Sequence, residues 1–220
     1  MKILTSTVDF QNKTLTLREK KTIGFVPTMG GLHEGHLSLI KKAKAENDIC
    51  VVSIFLNPTQ FNNSDDLDNY PAVLQDDLDI IKKLNVDILF TPKFADIYPD
   101  NYSYKVVETK FSQELCGKNR PGHFDGVLTV VLKLLMLAQA NRAYFGEKDY
   151  QQLKLIENMV KAFFIQTQIV SCPVVRNTNG VALSSRNKRL SSSGLSKAQN
   201  FAQLLSSKKS INELKDTMIS

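Results

Sequence analysis

Residues 22–44 encode a strand, a glycine turn and a helix in direct succession, and this unit constrains the fold more than any other stretch. The run IGFV at residues 23–26 is short, apolar and followed by a proline, which is typical of a buried strand. Gly30 and Gly31 follow, and from Glu34 onward apolar residues recur at helical spacing. These residues predict a buried strand that leads through a tight turn into the N-terminus of a helix.

Two of the chain's three histidines lie at the start of this predicted helix. His33 and His36 are three residues apart, so their side chains share one face of the first turn. The first N–H groups of a helix have no intrahelical partner and attract anions. The alternative is that Gly30 and Gly31 only make a turn and that the histidines are surface or core residues. Two histidines within one turn favour a phosphate site.

Composition and cysteine usage are those of an ordinary soluble globular protein. The chain has 220 residues, of which 42% are hydrophobic and 23% charged, enough for a substantial core. No apolar stretch approaches membrane-spanning length, and the first residues lack the apolar segment of a signal peptide. Cys50, Cys116 and Cys172 show neither paired nor metal-type spacing, which disfavours structural zinc. We therefore expect a cytoplasmic protein that does not bind a membrane.

The net charge of +6 is concentrated towards the C-terminus. Residues 186–220 hold seven Lys or Arg and two Asp or Glu, so the rest of the chain is nearly neutral. No basic stripe interleaved with aromatic residues is present, which disfavours nucleic-acid binding. We expect residues 186–220 to be a solvated basic tail.

Apolar runs alternate with helical patterns through much of the chain. Residues 49–56 and 86–92 read as strands with a helical pattern between them. The apolar face of that helix comprises Leu74, Leu78, Ile81 and Leu84. Further strands are predicted at residues 143–146 and 168–175. This alternation predicts an α/β fold, a Rossmann-like doubly wound parallel sheet.

The remaining segments carry weaker structural predictions. Residues 1–22 read as a polar lead-in whose main apolar anchors are Leu15 and Leu17. Residues 104–107 suggest a short additional strand. Modest helical periodicity in residues 190–220 predicts further helix at the C-terminal end.

Polar side chains follow the strand predicted at residues 49–56. Ligands of open α/β sheets bind beyond the carboxyl ends of the strands, so Asn57 and Gln60 are expected in that crevice. The alternative is that Asn57 and the proline after it only end the strand.

A polar loop predicted at residues 62–70 carries Asp65, Asp66 and Asp68. Three carboxylates can hold Mg²⁺ or simply keep a loop solvated, and we favour the second interpretation. No metal ligands are assigned from the sequence.

Two later motifs place basic side chains where predicted helices begin. Arg120 and His123 precede an apolar helix predicted over residues 127–140, and Arg is a natural bidentate partner of phosphate or carboxylate. Lys148 stands at the start of the next helix, where it can reach a phosphate, and Gln152 shares its face. The alternative for the first motif is a plain helix-entry loop.

A loop at residues 180–187 combines a glycine, two serines and an arginine. Hydroxyls and a guanidinium in such a loop can bind a triphosphate, whereas the alternative is a serine-rich surface loop.

Five strings in order resemble the pantothenate synthetase (pantoate–β-alanine ligase) family. They lie at residues 27–36, 57–61, 120–127, 145–152 and 182–187. The first reads PTMGGLHEGH and contains the H-x-G-H string of the adenylyl-transferring α/β superfamily, which includes nucleotidylyltransferases and class I aminoacyl-tRNA synthetases. It is not G-x-G-x-x-G, so a dinucleotide-binding site is disfavoured.

The resemblance implies a ligase of pantothenate and coenzyme A biosynthesis. Members of the family join pantoate to β-alanine with ATP and Mg²⁺ through a pantoyl-adenylate, releasing pyrophosphate and AMP, and they form homodimers. Two alternatives stay open: a nucleotidylyltransferase of the same superfamily, and a non-catalytic nucleotide-binding module.

The same resemblance implies roles for individual residues. The expected ATP-binding residues are Met29, Gly30, Gly31, Leu32, His33, Glu34, Gly35, His36, Gly146, Glu147, Lys148, Asp149, Val175, Leu183, Ser184, Ser185 and Arg186. The expected substrate-binding residues are Gln60, Gln152, Asn57, Arg120 and His123. The expected catalytic residues are His36, His33, Lys148 and Arg186.

Two features depart from the family pattern. Asn177 and Asn179 stand where the family often has an acidic residue, which puts a local charge or metal role in doubt. The family's C-terminal lid domain usually continues far beyond the Ser-Ser-Arg string. We therefore expect a nucleotide- and pantoate-binding domain at residues 1–175, and only a short remnant of the lid at residues 176–220.

Overall fold

The computed structural model describes residues 1–71 and 73–207. The strands, β1 to β6, are Lys2–Leu4, Ile23–Thr28, Ile49–Ile54, Ile88–Phe90, Arg142–Gly146 and Gln168–Cys172. The helices, α1 to α9, are Thr7–Arg18, Glu34–Glu46, Ser64–Asp68, Leu74–Lys83, Phe94–Ile97, Leu115–Lys118, His123–Ala138, Tyr150–Ala162 and Ser192–Ser206. Short 3-10 turns occupy Pro58–Gln60, Phe111–Gln113, Glu147–Asp149 and Ser185–Arg189.

The described strands form one parallel sheet in the order β1-β4-β3-β2-β5-β6. From β2 the chain winds outward through β3 and β4, and then crosses back to place β5 on the other side of β2. The winding direction therefore reverses between β2 and β5. Open α/β sheets form their ligand crevice at such a point, beyond the carboxyl ends of the strands. The doubly wound fold predicted from the sequence is confirmed.

Two apolar layers sandwich the sheet. One contains α1, α7 and α8, which pack with Phe25, Val51 and Phe90. The other contains α2 and α4, which pack with Val26 and Val52. Because β2 and β3 are covered on both faces, all their side chains are apolar or hydrogen-bonded except for Ser53 Oγ, which is buried without a partner.

The N-terminal segment is more structured than the sequence indicates. Residues 1–22 supply both the edge strand β1 and the helix α1, and the main anchor is Phe10 rather than Leu15. Phe10 is fully buried and stacks on Phe90, with ring centroids 4.1 Å apart. Leu15 is 42% exposed, so its assignment as an anchor was wrong, and Leu17 only packs at the margin of the core.

Three further predictions need correction or limits. The loop expected at residues 62–70 contains the short helix α3, which Asn63 caps by accepting a hydrogen bond from the Asp65 N–H. Residues 104–107 are not a strand, and the Val106 N–H donates to Thr129 Oγ1 instead.

The C-terminal periodicity corresponds to α9 up to residue 206, whereas Ile211, Leu214 and Met218 lie outside the described residues. The division at residue 175 stays a prediction.

No helix within residues 1–71 and 73–207 is both long enough and apolar enough to cross a membrane.

Truncating the aromatic stack should distinguish the real N-terminal anchor from the expected one. We expect Phe10→Ala to lower the free energy of unfolding by about 3–5 kcal/mol, because a fully buried ring is replaced by a cavity. Leu15→Ala is the matched control and should stay within about 0.5 kcal/mol of the unsubstituted chain. Urea unfolding followed by circular dichroism measures both values, and equal losses would contradict the assignment.

Candidate functional site

A cleft opens at the crevice between the carboxyl ends of β2 and β5. Its larger part encloses about 220 Å³ and its smaller part about 140 Å³. Both parts are lined by His33, His36, Lys148, Asp149 and Gln152, so these residues form the boundary between the two. The cleft therefore contains two adjoining compartments that share one polar wall.

The H-x-G-H string forms a capping structure at the start of α2. His33 is the N-cap, with an extended backbone, and its Nδ1 accepts a hydrogen bond from the Gly35 N–H at 3.1 Å. His36 Nδ1 in turn accepts from the His33 N–H at 3.4 Å. This is a capping box in which two imidazoles take the places usual for Ser or Thr and Glu or Gln.

Gly35 is required at its position by this arrangement. A Cβ there would lie 2.8 Å from His33 Cε1 and 2.9 Å from His33 Nδ1. The His33 ring can fold over the first turn only because residue 35 has no side chain. The ring centroids of His33 and His36 are then 4.1 Å apart. The spacing of the string thus follows from cap geometry.

Both histidines are held neutral in the cleft. Burial lowers the pKa of His36 to about 3, and electrostatic repulsion from His33 and Lys148 acts in the same direction. Burial and then the Lys148 charge also lower the pKa of His33. Since Nδ1 of each ring accepts from a backbone N–H, each proton resides on Nε2. The pair therefore offers two uncharged N–H donors.

An amide network forms part of the lining of the larger compartment. Asn57 is buried, and its Nδ2 donates to the Gly126 carbonyl at 3.2 Å and to Gln60 Oε1 at 3.1 Å. Asn57 Oδ1 accepts from Tyr98 OH and from Thr59 Oγ1, both at 3.0 Å. All the hydrogen-bonding groups of Asn57 are thus used within the protein. This geometry favours a positioning role for Asn57 over direct contact with a ligand.

A second relay orients Arg120 at the cleft. His123 Nδ1 lies 2.7 Å from the Gln60 carbonyl and must donate to it, so Nε2 is free to accept from Arg120 Nη1 at 3.1 Å. Burial lowers the pKa of His123 and so favours this neutral form. Burial, together with the charge of Arg186, lowers the pKa of Arg120. Arg120 thus brings a partly desolvated positive charge to the cleft.

The two compartments differ in the rest of their lining. The larger has an apolar wall formed by Phe55, Val127, Val130, Val131, Leu134 and Phe145, with Gln60 and Gln152 among its polar residues. The smaller is lined by Gly35, Leu39, Gly146, Val175 and Leu183. The larger compartment thus combines an apolar wall with hydrogen-bonding side chains, whereas the smaller adds mainly glycine and apolar residues to the shared polar wall.

Arg186 is held at the rim of the cleft by Asp66. Its Nε and Nη2 bond to the two carboxylate oxygens at 3.0 and 2.7 Å, and Arg189 Nη1 adds a contact at 2.8 Å. The hydrogen bond from Arg186 lowers the pKa of Asp66. Tyr70 OH also lies 3.3 Å from Ser185 Oγ, so the 64–71 segment is tied to the Ser-Ser-Arg loop. The two arginines do not belong to a solvated tail.

Five expected ATP-binding residues do not line either compartment. They are Gly30, Gly31, Leu32, Glu34 and Glu147. Leu32 packs into the core, Glu34 approaches Lys41 at the surface, and Glu147 accepts from Ser171 Oγ at 2.5 Å. The structure brings the other expected site residues together in the cleft.

The helix N-terminus offers fewer free amides than the sequence suggests. The N–H groups of Gly31 and Leu32 donate to Asp77, and the Gly35 N–H donates to His33. Sequence reasoning assigned no role to Phe61, although it ends the string at residues 57–61. It missed Asp77 and Tyr70, which no short motif marks. Their positions follow from the fold alone.

The described residues do not form an all-protein metal centre. In residues 1–71 and 73–207, no group of three His, Cys, Asp or Glu side chains is arranged to hold an ion. Both oxygens of Asp66 are bonded to arginines, so the three aspartates at residues 65–68 are not a free cluster. Asn177 has a turn-forming role, because its Oδ1 accepts from the N–H groups of Asn179 and Val181.

Comparison with known proteins identifies the family of this chain. The family model for pantoate-beta-alanine ligase matches residues 2–220. The chain belongs to the pantoate–β-alanine ligase family. The pantothenate synthetase of Francisella tularensis subsp. novicida (strain U112) is 53% identical over 191 residues, which cover 86% of this chain and 73% of that protein.

Solved structures of the family share the fold. The crystal structure of pantoate-beta-alanine ligase from Francisella tularensis, complexed with beta-gamma ATP and beta-alanine, superposes with a TM-score of 0.93 at 48% identity. The match covers 99% of this chain and 84% of that chain. Pantothenate synthetase from Thermus thermophilus gives a TM-score of 0.87 at 41% identity, covering 93% of this chain and 73% of that chain.

The lowered pKa of His36 should be measurable as a pH dependence of stability. Below about pH 6.5 the unfolded chain protonates this histidine, whereas the folded chain does not until about pH 3. The free energy of unfolding should therefore fall as the pH falls through this window, by up to about 1.4 kcal/mol per pH unit from His36.

Urea unfolding of the unsubstituted chain and His36→Gln between pH 7 and pH 4.5 isolates this contribution, because other titrating groups are common to both. Parallel curves would show that folded His36 titrates normally.

Proposed function

We propose that this chain joins pantoate to β-alanine at the expense of ATP, through a pantoyl-adenylate, with release of pyrophosphate and AMP. The observation that carries the proposal is the pair of compartments divided by His33, His36, Lys148 and Gln152. Adenylation requires a small acid and a nucleotide to meet at one polar boundary. Membership of the family and the ligands named for the Francisella tularensis structure support the same reaction.

The larger compartment matches the chemistry of pantoate. Pantoate carries a carboxylate, two hydroxyls and a branched hydrocarbon centre. The apolar side chains of α7, Val127, Val130, Val131 and Leu134, would pack against the hydrocarbon part. The amides of Gln60 and Gln152 would hydrogen-bond its polar groups, and Asn57 would orient Gln60. We assign Arg120 to a carboxylate or phosphate group, with His123 as the residue that orients it.

The first step needs charge stabilisation rather than a base. The pantoate carboxylate is already ionised at neutral pH, and its oxygen attacks the α-phosphorus while the bond to pyrophosphate breaks. Negative charge then grows on the departing pyrophosphate and on the α-phosphoryl oxygens. The Nε2–H groups of His33 and His36, with Lys148 and Arg186, would stabilise that charge without reorganising.

The second step places the β-alanine amine against the acyl carbon. The amine must attack as the free base, a C–N bond forms, and the C–O bond to AMP breaks. AMP leaves as a phosphate monoester anion and needs no strong acid. His36 therefore acts as a hydrogen-bonding catalyst first, since its low pKa keeps it from being a proton donor at neutral pH.

We infer that Mg²⁺ reaches the site on the ATP phosphates, because the described carboxylates do not form a cation site. The homodimer, the cytoplasmic location and the absence of a nucleic-acid partner stay predictions.

Pyrophosphate exchange tests the proposed reaction. If an acyl-adenylate forms, labelled pyrophosphate should exchange into ATP when pantoate is present and β-alanine is absent. Omitting pantoate is the control and should abolish exchange. Exchange that requires β-alanine, or that proceeds equally without pantoate, would rule out the adenylate mechanism.

Substitutions should separate the nucleotide side of the boundary from the pantoate side. His36→Ala and Lys148→Ala should each lower the exchange rate by about 10²-fold or more, the scale of losing one preorganised donor. Gln152→Ala should instead raise the KM for pantoate, because a hydrogen-bonding group of the substrate loses its partner. Steady-state exchange kinetics measure both effects. A Gln152→Ala variant that weakens only ATP binding, or near-normal exchange by His36→Ala, would contradict these roles.

A further inference from the structure

Asp77 is a buried carboxylate to which the proposed chemistry assigns no role. It lies in the first turn of α4 and is only 2% exposed. Its Oδ2 accepts a hydrogen bond from the Gly31 N–H at 2.8 Å, and its Oδ1 accepts from the Leu32 N–H at 2.7 Å. A buried charge is costly unless it is compensated. Here two charge-assisted hydrogen bonds and the N-terminal end of α4 provide the compensation.

The turn that Asp77 contacts has the geometry of an anion site. Gly30 and Gly31 have φ values of +82° and +64°, a left-handed conformation that glycine adopts without strain. Successive N–H groups in such turns converge and form a concavity that binds anions. In this chain the concavity already holds a carboxylate from the protein itself.

A second contact fixes the same turn against the same segment. A Cβ on Gly31 would lie 2.7 Å from the Pro71 carbonyl oxygen, so the turn and the chain before α4 approach too closely for any side chain. The turn therefore packs directly against the segment that leads into α4.

The turn is continuous with the capping histidines. Leu32 immediately precedes His33, whose ring and carbonyl cap α2 by accepting from the N–H groups of Gly35, His36 and Leu37. A shift of the backbone at Leu32 would displace the His33 ring. It would displace His36 as well, because His36 Nδ1 accepts from the His33 N–H. Asp77 thus acts on the donors of the cleft from outside the cleft.

We infer that Asp77 is a positioning residue: it fills the anion concavity of the glycine turn and thereby holds His33 and His36 in register with the nucleotide. A consequence is that phosphate groups are bound by side chains and not by the amides of Gly31 and Leu32. The kinetic part of this inference rests on the proposed function, whereas the hydrogen bonding of the turn does not.

Asp77→Asn tests the inference with little change of size. An asparagine has one acceptor oxygen, so its NH₂ group must face one of the two backbone N–H donors. We expect the pyrophosphate-exchange rate at saturating substrates to fall about tenfold or more, with the KM for pantoate within about twofold of the unsubstituted value. A general loss of structure would change both quantities, since the two compartments share one wall.

Asp76→Asn is the matched control, because Asp76 is the exposed neighbour on the same helix. It removes the same charge and should leave exchange within about twofold of the unsubstituted rate. Equal rates for the two variants, or a pantoate KM that changes as much as the rate, would overturn the positioning role.

Amide hydrogen exchange on the unsubstituted chain tests the hydrogen bonds that the inference requires, even if Asp77→Asn does not fold. The N–H groups of Gly31 and Leu32 should be strongly protected, and exchange at the rate of unstructured peptide amides would overturn the inference. If the unsubstituted chain shows no pantoate-dependent pyrophosphate exchange, the proposed function fails, whereas the protection of these two amides still tests the role of Asp77.

Discussion

The hydrogen bond from the Gly35 N–H to His33 Nδ1 links the secondary structure of this chain to its chemistry. It ends the turn after β2, begins α2, and fixes the imidazole proton of His33 on Nε2. It requires glycine at position 35, since a side chain there would collide with the ring. The residues that would meet the nucleotide are therefore the residues that cap the helix, and neither role can change without the other.

The rim of the cleft depends on residues 58–77, of which all but residue 72 are described. This stretch joins three walls: Gln60 accepts from Asn57, Asp66 bonds Arg186, and Asp77 bonds the glycine turn. In an open α/β sheet each wall comes from the end of a different strand. A connecting segment that bonds to all of them keeps separately folded loops at fixed distances.

Much of the fold follows from local patterns in the sequence. Strand β3 was predicted from its continuous apolar run, which is typical of a strand buried on both faces of a parallel sheet. Helix α2 was predicted from the helical spacing of apolar residues after Glu34. Phe10 was missed, since one aromatic residue in a polar helix has no periodicity, and its partner Phe90 is 80 positions away. Leu15 was wrongly chosen because hydrophobicity alone does not tell which face of α1 meets the sheet.

Site residues that belong to a short sequence motif could be predicted. Residues that reach the site from a distant part of the sequence could not. His33, His36, Lys148 and Gln152 lie together in the cleft as expected. Asp77 could not be found, since it is one of several aspartates in a charged helix and only the fold brings it to Gly31. The free amides expected at the helix N-terminus were overestimated, because a sequence does not show which donors already have partners.

The orientation of the Asn57 side chain has a consequence for what the larger compartment can accept. A backbone carbonyl, that of Gly126, fixes which end of the Asn57 amide is the donor, and Asn57 then engages the oxygen of Gln60. The NH₂ group of Gln60 is left on the other side, beside Met29 Sδ in the cavity lining. The α7 main chain thus determines that this wall presents a hydrogen-bond donor to the cavity. Acceptor groups of a ligand can bond to it, whereas N–H groups cannot. A carboxylate would be retained there, whereas its primary amide, similar in shape, would have to turn its NH₂ group away.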